Sequence, residues 1–237
     1  MVEVTISDKF YSEVQQAVAK HQPELSVART DLFIVLEGQF LVYGADGPTD
    51  THIGVFDSYQ IKAGVTANFP EEEPVVFEEG DRIPRTADRH VFPKDGNCCL
   101  GVWEEWLLTA PDHRFATFLT GPMHDYFVSQ TYYEAHGTWP FGERSHGKLG
   151  VLEAYGDILR LPPDEKTIAD YLRLLSRQTI KGHSLCPCGS GWRLRKCHWD
   201  DLEYLRRMIP PVIAKRMHHT IAHMKNLDSL PNRVAEL

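Results

Sequence analysis

Apolar and polar positions follow two different patterns along the first third of the chain. Over residues 7–22 apolar side chains recur on one helical face, with Ser7 suited to the N-cap and Pro23 to the stop, and this spacing predicts an amphipathic first helix. Over residues 32–77 short apolar runs and alternating positions are separated by glycines and prolines. The second pattern predicts an antiparallel β-meander.

Helical spacing returns in the rest of the chain. It covers residues 111–135 with an interruption at Gly121-Pro122, then 164–178, 202–208 and 212–224. Pro122 suits the first turn of a new helix, because its missing N–H would be unpaired there in any case. Between residues 80 and 103 neither period is present, but reactive side chains are dense. Together the patterns predict an α+β fold whose chemistry lies in this irregular stretch.

Composition narrows the class of protein. The chain has 237 residues, of which 42% are hydrophobic and 24% charged, and these proportions argue against collagen, coiled coils and wholesale disorder. No apolar run approaches the roughly 20 residues of a membrane span. Met1-Val2-Glu3-Val4 has neither the basic region nor the apolar core of a signal peptide. We therefore expect a cytoplasmic protein with no membrane partner.

Charge is distributed unevenly along the chain. The net charge is −8, but residues 181–237 carry +5, which leaves −13 on residues 1–180. An acidic body disfavours nucleic acid as a partner, whereas the basic tail could meet an anionic protein surface, with RNA as the weaker choice. The alternative is that the tail is simply a solvated basic helical surface.

The five cysteines do not form a disulfide framework. They occur as the adjacent pair Cys98-Cys99 and as Cys186, Cys188 and Cys197, the last followed directly by His198. An odd count with this clustering is typical of a reducing compartment, where thiols serve catalysis or bind metal.

The second cysteine group has the spacing of a metal site. Zinc prefers four thiolate or imidazole ligands in a tetrahedron, and Cys186, Cys188, Cys197 and His198 supply such a set. Gly189 and Gly191 permit the tight turn that brings both ends onto one ion. The segment 184–199 resembles the SEC-C motif of the SecA translocase, in which a similar element binds a chaperone. We predict a closed structural Zn²⁺ site with no water to activate, and a redox or chance cluster is the alternative.

The irregular stretch carries a series of short motifs. They are Phe69-Pro70, Pro74-Val75-Val76-Phe77, His90-Val91-Phe92-Pro93 and Gly96-Asn97-Cys98-Cys99-Leu100. This order resembles the active-site run of ubiquitin-conjugating enzymes, and in particular the divergent bacterial branch of that family. The resemblance covers about residues 6–150 and implies the UBC fold: an N-terminal helix, an antiparallel β-meander, an active-site loop and C-terminal helices, followed here by a small helical zinc-knuckle tail.

The resemblance implies a catalytic role for Cys99. Cys99 directly precedes Leu100 and would accept a ubiquitin-like protein as a thioester, while Trp103 or Trp106 would match a tryptophan of the family. A thiolate suits this task because it is both a nucleophile and a leaving group. The alternative is that Cys99 is a buried structural thiol, with Cys98 the exposed one or neither reactive.

The stretch departs from the family at the position of a functional asparagine. Residues 89–92, Arg-His-Val-Phe, stand where the eukaryotic pattern has His-Pro-Asn, so that oxyanion donor is absent. His90, Asn97 and the backbone amides near Leu100 are the remaining candidates. His90 could also deprotonate the incoming lysine, or it could merely cap a backbone group. The later segment 137–147 could supply Glu143 or His146 to the site, or it could be a structural turn.

These observations predict a ubiquitin-conjugating-like carrier in a bacterial conjugation pathway, with a conjugating domain over residues 1–155 and a helical C-terminal region over 156–237. Expected partners are a ubiquitin-like protein, an adenylating activating enzyme, and a protein target or adaptor held through the zinc tail. Two other functions remain open. One is a non-catalytic module that binds ubiquitin-like proteins. The other is a thiol hydrolase that uses Cys99 and His90 and needs no activating partner.

Overall fold

The computed structural model describes residues 5–44 and 55–224 and has an α+β architecture. The described residues form two compact units. The first comprises 5–101, apart from the undescribed 45–54, together with 110–143, and the second comprises 102–109 and 144–224. The expected domain boundary at 155/156 differs from this division, because it falls inside a helix that belongs entirely to the second unit.

The first unit contains one antiparallel sheet, three α-helices and one 3-10 turn, Ala87–Arg89, among its described residues. The helices are α1 (Asp8–His21), α3 (Phe115–Thr120) and α4 (Pro122–His136), and the strands are β1 (Leu25–Arg29), β2 (Phe33–Tyr43), β3 (Val55–Thr66) and β4 (Val75–Glu78). The strand order is β1-β2-β3-β4, and each neighbouring pair is antiparallel. The predicted meander is therefore confirmed.

The first helix begins and ends where its sequence indicates. The Ser7 hydroxyl accepts the N–H of Phe10 at 3.2 Å, and α1 ends at His21, with Gln22 as its C-cap directly before Pro23. The break predicted at Gly121-Pro122 also exists, since Pro122 occupies the first turn of α4. These boundaries were predictable because caps and prolines act locally.

The core of the first unit lies between the sheet and α4. Alternate residues of β2 and β3 point inward and are buried: Ile34, Leu36, Phe40 and Val42 in β2, and Tyr59, Ile61, Ala63 and Val65 in β3. Phe127 of α4 lies 4.9 Å from the rings of both Phe40 and Tyr59. This contact fixes the position of α4 over the sheet.

Strand β1 was not predicted, and its composition explains why. It is a five-residue edge strand in which Leu25 alone is buried, so it lacks the alternation by which a strand is recognised. Its place is set by pairing with β2, from Leu25 opposite Gly38 to Arg29 opposite Ile34.

The second unit is helical in its described part. It contains α2 (Trp103–Thr109), α5 (Gly147–Leu159), α6 (Glu165–Leu175), α7 (Trp199–Met208) and α8 (Pro211–His223). Helix α6 begins as predicted, since Asp164 accepts the N–H of Thr167 at 2.9 Å. Helix α5 was not predicted. It contains Gly150 and Gly156 and has six buried residues spread around its circumference, so it shows no single apolar stripe.

A buried carboxylate joins two helices of the second unit. Glu104 of α2 is 4% exposed and accepts Nε of Arg216 at 2.8 Å and the hydroxyl of Thr220 at 3.2 Å, both from α8. Buried charges are tolerated when paired in this way. Among the described helices, none combines the length and the apolar character needed to span a membrane.

Gly38 is the position in the sheet where a side chain should be least tolerated. Its φ is +138°, and an added Cβ would lie 2.4 Å from the carbonyl oxygen of Glu24. We expect Gly38→Ala to lower the free energy of unfolding by about 2–4 kcal/mol, because backbone strain and overpacking add. Urea unfolding measures the loss.

Gly142→Ala is the matched control for this substitution. Gly142 also has a positive φ, +79°, but no atom lies within 4 Å of its added Cβ. We expect a loss of about 1 kcal/mol there. Equal losses in the two variants would contradict the close approach at Gly38.

Candidate functional sites

The irregular stretch after β4 is held by main-chain pairing. Asn97 pairs with Phe77 of β4, and the N–H of Cys98 donates to the carbonyl of Val76 at 2.7 Å. Val91 pairs in turn with Cys98. Residues 97–98 therefore lie beside β4 at the edge of the sheet, and Val91 lies beside Cys98. This pairing fixes the backbone position of both cysteines.

The two adjacent thiols have different environments. Cys98 is 4% exposed, and burial raises the pKa of its thiol to about 12. Cys99, in contrast, is only partly buried. Burial nevertheless raises the pKa of the Cys99 thiol, with an opposing hydrogen bond from the Gly101 N–H and a further increase from the Glu73 carboxylate. Both cysteines are therefore neutral thiols near pH 7, and Cys99 is the accessible one.

His90 lies next to Cys99 through the backbone. The N–H of Cys99 donates to the His90 carbonyl at 2.8 Å, and the Tyr126 hydroxyl donates to the same carbonyl at 3.3 Å. His90 has a left-handed backbone, with φ at 49°. Its imidazole packs edge-to-face on Trp139, with ring centres 4.6 Å apart. Segment 137–147 therefore contributes Trp139 to the His90 neighbourhood.

Helix α4 clamps the residue before His90. The amide nitrogen of Gln130 donates to the Arg89 carbonyl at 2.7 Å, and its oxygen accepts Nε and Nη2 of Arg89 at 3.0 and 2.8 Å. Gln130 is fully buried, so these hydrogen bonds are shielded from water. Sequence reasoning missed Gln130, because a buried glutamine on a helix has no sequence signal that distinguishes it from a surface one.

Val91 lies in the stretch 89–92, which contains no asparagine. It is 4% exposed and faces inward with Cys98. This side chain cannot donate to an oxyanion, so that role would pass to other groups. Trp103 and Trp106, one of which was expected to match a tryptophan of the family, stack with ring centres 4.4 Å apart in α2 of the second unit.

The four residues of the predicted metal site come together in the second unit. The ligand atoms of Cys186, Cys188, Cys197 and His198 all lie within 4.8 Å of one another. The Cys188 and Cys197 sulfurs are 3.5 Å apart, and Nδ1 of His198 lies 3.3 Å from Cys186 and 3.2 Å from Cys197. The group could therefore hold a metal ion.

A tight local turn builds this cluster. Leu185 pairs with Arg193, and the N–H of Cys186 donates to the Trp192 carbonyl at 2.8 Å. Gly189 and Gly191 have φ values of +80° and +74°, which side chains rarely adopt. A single 3-10 turn, Leu194–Lys196, then returns the chain to Cys197. The fully buried Leu194 anchors the turn in the core of the second unit.

The thiols of the cluster differ in acidity. The Ser190 hydroxyl, 3.2 Å from the Cys188 sulfur, lowers the pKa of Cys188 to about 6, while burial raises the pKa of Cys186 to about 11. Cys188 is therefore more acidic than Cys186. Metal binding at such a site releases protons and weakens as the pH falls.

Comparisons of the chain with protein-family models, with curated proteins and with solved structures found no match.

Alkylation should separate the two adjacent cysteines. We expect iodoacetamide to label Cys99 but not Cys98 in the native protein. Because the thiolate reacts and the pKa of Cys99 is raised, labelling should be slow at pH 7 and should increase about tenfold per pH unit up to that pKa. Peptide mass mapping reads each cysteine separately. In urea both should react, and native labelling of Cys98 at the rate of Cys99 would contradict the assignment.

Proposed function

We propose that the first unit is a carrier of the ubiquitin-conjugating type with Cys99 as the acceptor. The order of its elements supports this, since a helix, a four-stranded meander, a thiol-bearing loop and further helices follow one another as the family resemblance implies. The observation that carries the proposal is the accessible Cys99 on a backbone held from both sides, by His90 and by β4 through Cys98.

The reaction is two acyl transfers. The Cys99 thiolate attacks the thioester carbonyl between the ubiquitin-like protein and an adenylating activating enzyme, and the thiolate of that enzyme leaves. An amine of the target then attacks the new thioester, loses its proton to a base, and the Cys99 thiolate leaves. ATP is consumed by the partner enzyme. Because the pKa of Cys99 is raised, its thiolate is a strong nucleophile but a minor species near pH 7, so the Cys99 thiol must lose its proton before it attacks.

The groups around Cys99 limit which residues can assist these steps. With Val91 turned inward, a developing oxyanion would need a donor from Asn97 or from backbone amides near Leu100. His90, which packs against Trp139, is proposed as the base or as a further donor. The acidic charge of residues 1–180 would suit a basic activating enzyme.

A gel assay tests the carrier proposal. The protein is mixed with ATP, an adenylating enzyme and a ubiquitin-like protein from a neighbouring locus, and the products are run with and without reductant. We expect a reductant-sensitive adduct in the wild type and in Cys98→Ala, none in Cys99→Ala, and a reductant-resistant ester in Cys99→Ser. An adduct that persists in Cys99→Ala would contradict the assignment.

One other function is favoured by specific observations. The inward Val91 and the raised pKa of Cys99 both suit a module that binds a ubiquitin-like protein without forming a thioester. The test uses an adenylating enzyme and a ubiquitin-like protein that together form a thioester on a known carrier. If this protein binds the ubiquitin-like protein non-covalently and forms no adduct with it, the binding function is established. Cleavage of a peptide or isopeptide without ATP would instead indicate the thiol hydrolase.

We propose that the cluster of the second unit binds structural Zn²⁺. Three thiolates and an imidazole are the soft ligand set that zinc prefers, and sulfurs 2.3 Å from a tetrahedral ion lie about 3.8 Å apart. The separation of 3.5 Å between Cys188 and Cys197 is close to that value. Because protein ligands would fill all four positions, the ion would hold the turn together and leave no site for a reacting water. A protein target or adaptor would then dock on this turn.

Metal analysis tests the zinc proposal. We expect about one zinc per chain in the wild type and in Cys99→Ser, and loss of the metal in Cys186→Ser, because three remaining ligands bind far more weakly. Elemental analysis of protein purified without chelator measures the content. An unchanged zinc content in Cys186→Ser would show that the ligands lie elsewhere.

A further inference from the structure

Trp139 lies between two other rings of the first unit. Its indole meets the His90 imidazole edge-to-face, with ring centres 4.6 Å apart and planes at 70°. It also stacks on Tyr133 of α4, with ring centres 4.4 Å apart and planes at 29°. Edge-to-face and stacked arrangements are those in which aromatic rings attract one another. The His90 imidazole is therefore packed against a ring that α4 itself holds.

The turn after α4 brings Trp139 to this position. Helix α4 is followed by Gly137, which has a φ of +70°, and the Gly137 N–H donates to the Tyr133 carbonyl at 2.7 Å. Glycine adopts this left-handed backbone without steric cost and ends the helix there. Pro140 restricts the residue before it, Trp139, to an extended backbone. The glycine and the proline together therefore favour one position of the indole.

The same helix also holds the residue before His90. The Arg89 guanidinium lies 4.9 Å from the centre of the Tyr133 ring. One side chain of this dipeptide thus packs on Tyr133 and the next on Trp139, and these two rings stack on each other. The His90 carbonyl meanwhile accepts the N–H of Cys99 at 2.8 Å. The imidazole is therefore held by its backbone on one side and by the indole on the other.

We propose that Trp139 is a positioning residue, which holds the His90 imidazole where it takes a proton from the amine that attacks the Cys99 thioester. In this step the amine nitrogen bonds to the carbonyl carbon, its proton passes to an imidazole nitrogen, and the Cys99 thiolate leaves. A general base needs a fixed position beside the proton it removes, and a misplacement of about 1 Å can cost about 100-fold in rate. This inference rests on the carrier function proposed above.

Single-turnover transfer from the preformed Cys99 thioester to free lysine tests this role. We expect Trp139→Ala to slow transfer about 10- to 100-fold, and Trp139→Phe to keep most of the rate because it retains a ring against His90. In a His90→Ala background, Trp139→Ala should cause no further loss, since a residue that acts through another is not additive with it. A wild-type rate in Trp139→Ala, or an equal loss with and without His90, would overturn the inference.

Phe141→Ala is the matched control. Phe141 is an aromatic residue of the same segment, but it is 74% exposed. We expect the wild-type rate of transfer in this variant. A loss equal to that in Trp139→Ala would assign the effect to the segment as a whole and contradict a specific role of the indole.

Modification of His90 by diethyl pyrocarbonate provides a readout that needs no partner protein. We expect His90 to react faster in Trp139→Ala than in the wild type, because the indole no longer shields the imidazole, and at the wild-type rate in Phe141→Ala. Peptide mass mapping measures each histidine separately. An unchanged His90 rate in Trp139→Ala would overturn the inference. A wild type that protects His90 but forms no thioester with competent partners would instead refute the carrier function.

Discussion

The pairing of the Cys99 loop with the edge of the sheet is the constraint on which the chemistry proposed for the first unit depends. The hydrogen bond from the Cys98 N–H to the Val76 carbonyl places the Cys98 side chain in the core with Val91, so the next residue is left at the surface. A register slip of one residue would exchange the two thiols, because successive side chains of an extended segment point to opposite sides. Gln130 and Tyr126 oppose such a slip, since they hold the carbonyls of Arg89 and His90 from α4.

The second unit combines an apolar core with the turn over residues 185–198, which contains the cysteine and histidine side chains of the cluster. Leu194 and Cys186 are buried with α6 and α7, so the cluster of Cys186, Cys188, Cys197 and His198 is joined to the core through Cys186. Its other side is exposed, and Trp192 there is 60% exposed. On the exposed side the Ser190 hydroxyl lies 3.2 Å from the Cys188 sulfur and 3.4 Å from the Cys197 sulfur.

The sequence was most informative where short-range rules apply. The Ser7 cap, the break at Pro122 and the Cys186–His198 cluster were all predicted, because capping, proline geometry and metal-ligand spacing act within a few residues. Strand β1 and helix α5 were missed because they are defined by long-range partners: β1 by its ladder with β2, and α5 by burial on several faces. Motif resemblance pointed to Cys99, but only the structure distinguishes its environment from that of Cys98 and identifies Gln130, which works through a backbone carbonyl.

The position of α2 has a consequence for dividing the protein into parts. Residues 102–109 belong to the second unit, although in the chain they lie between two segments of the first. A fragment that ends at residue 143 would keep Glu104 and lose Arg216, and a fragment that begins at 144 would do the reverse. The first fragment would leave the buried Glu104 carboxylate without its partner, which is an expensive way to break such a pair, whereas the Arg216 side chain of the second fragment is 32% exposed and can meet water. Neither unit can therefore be isolated by a single cut, and a recombinant version of either would have to be assembled from two stretches of chain.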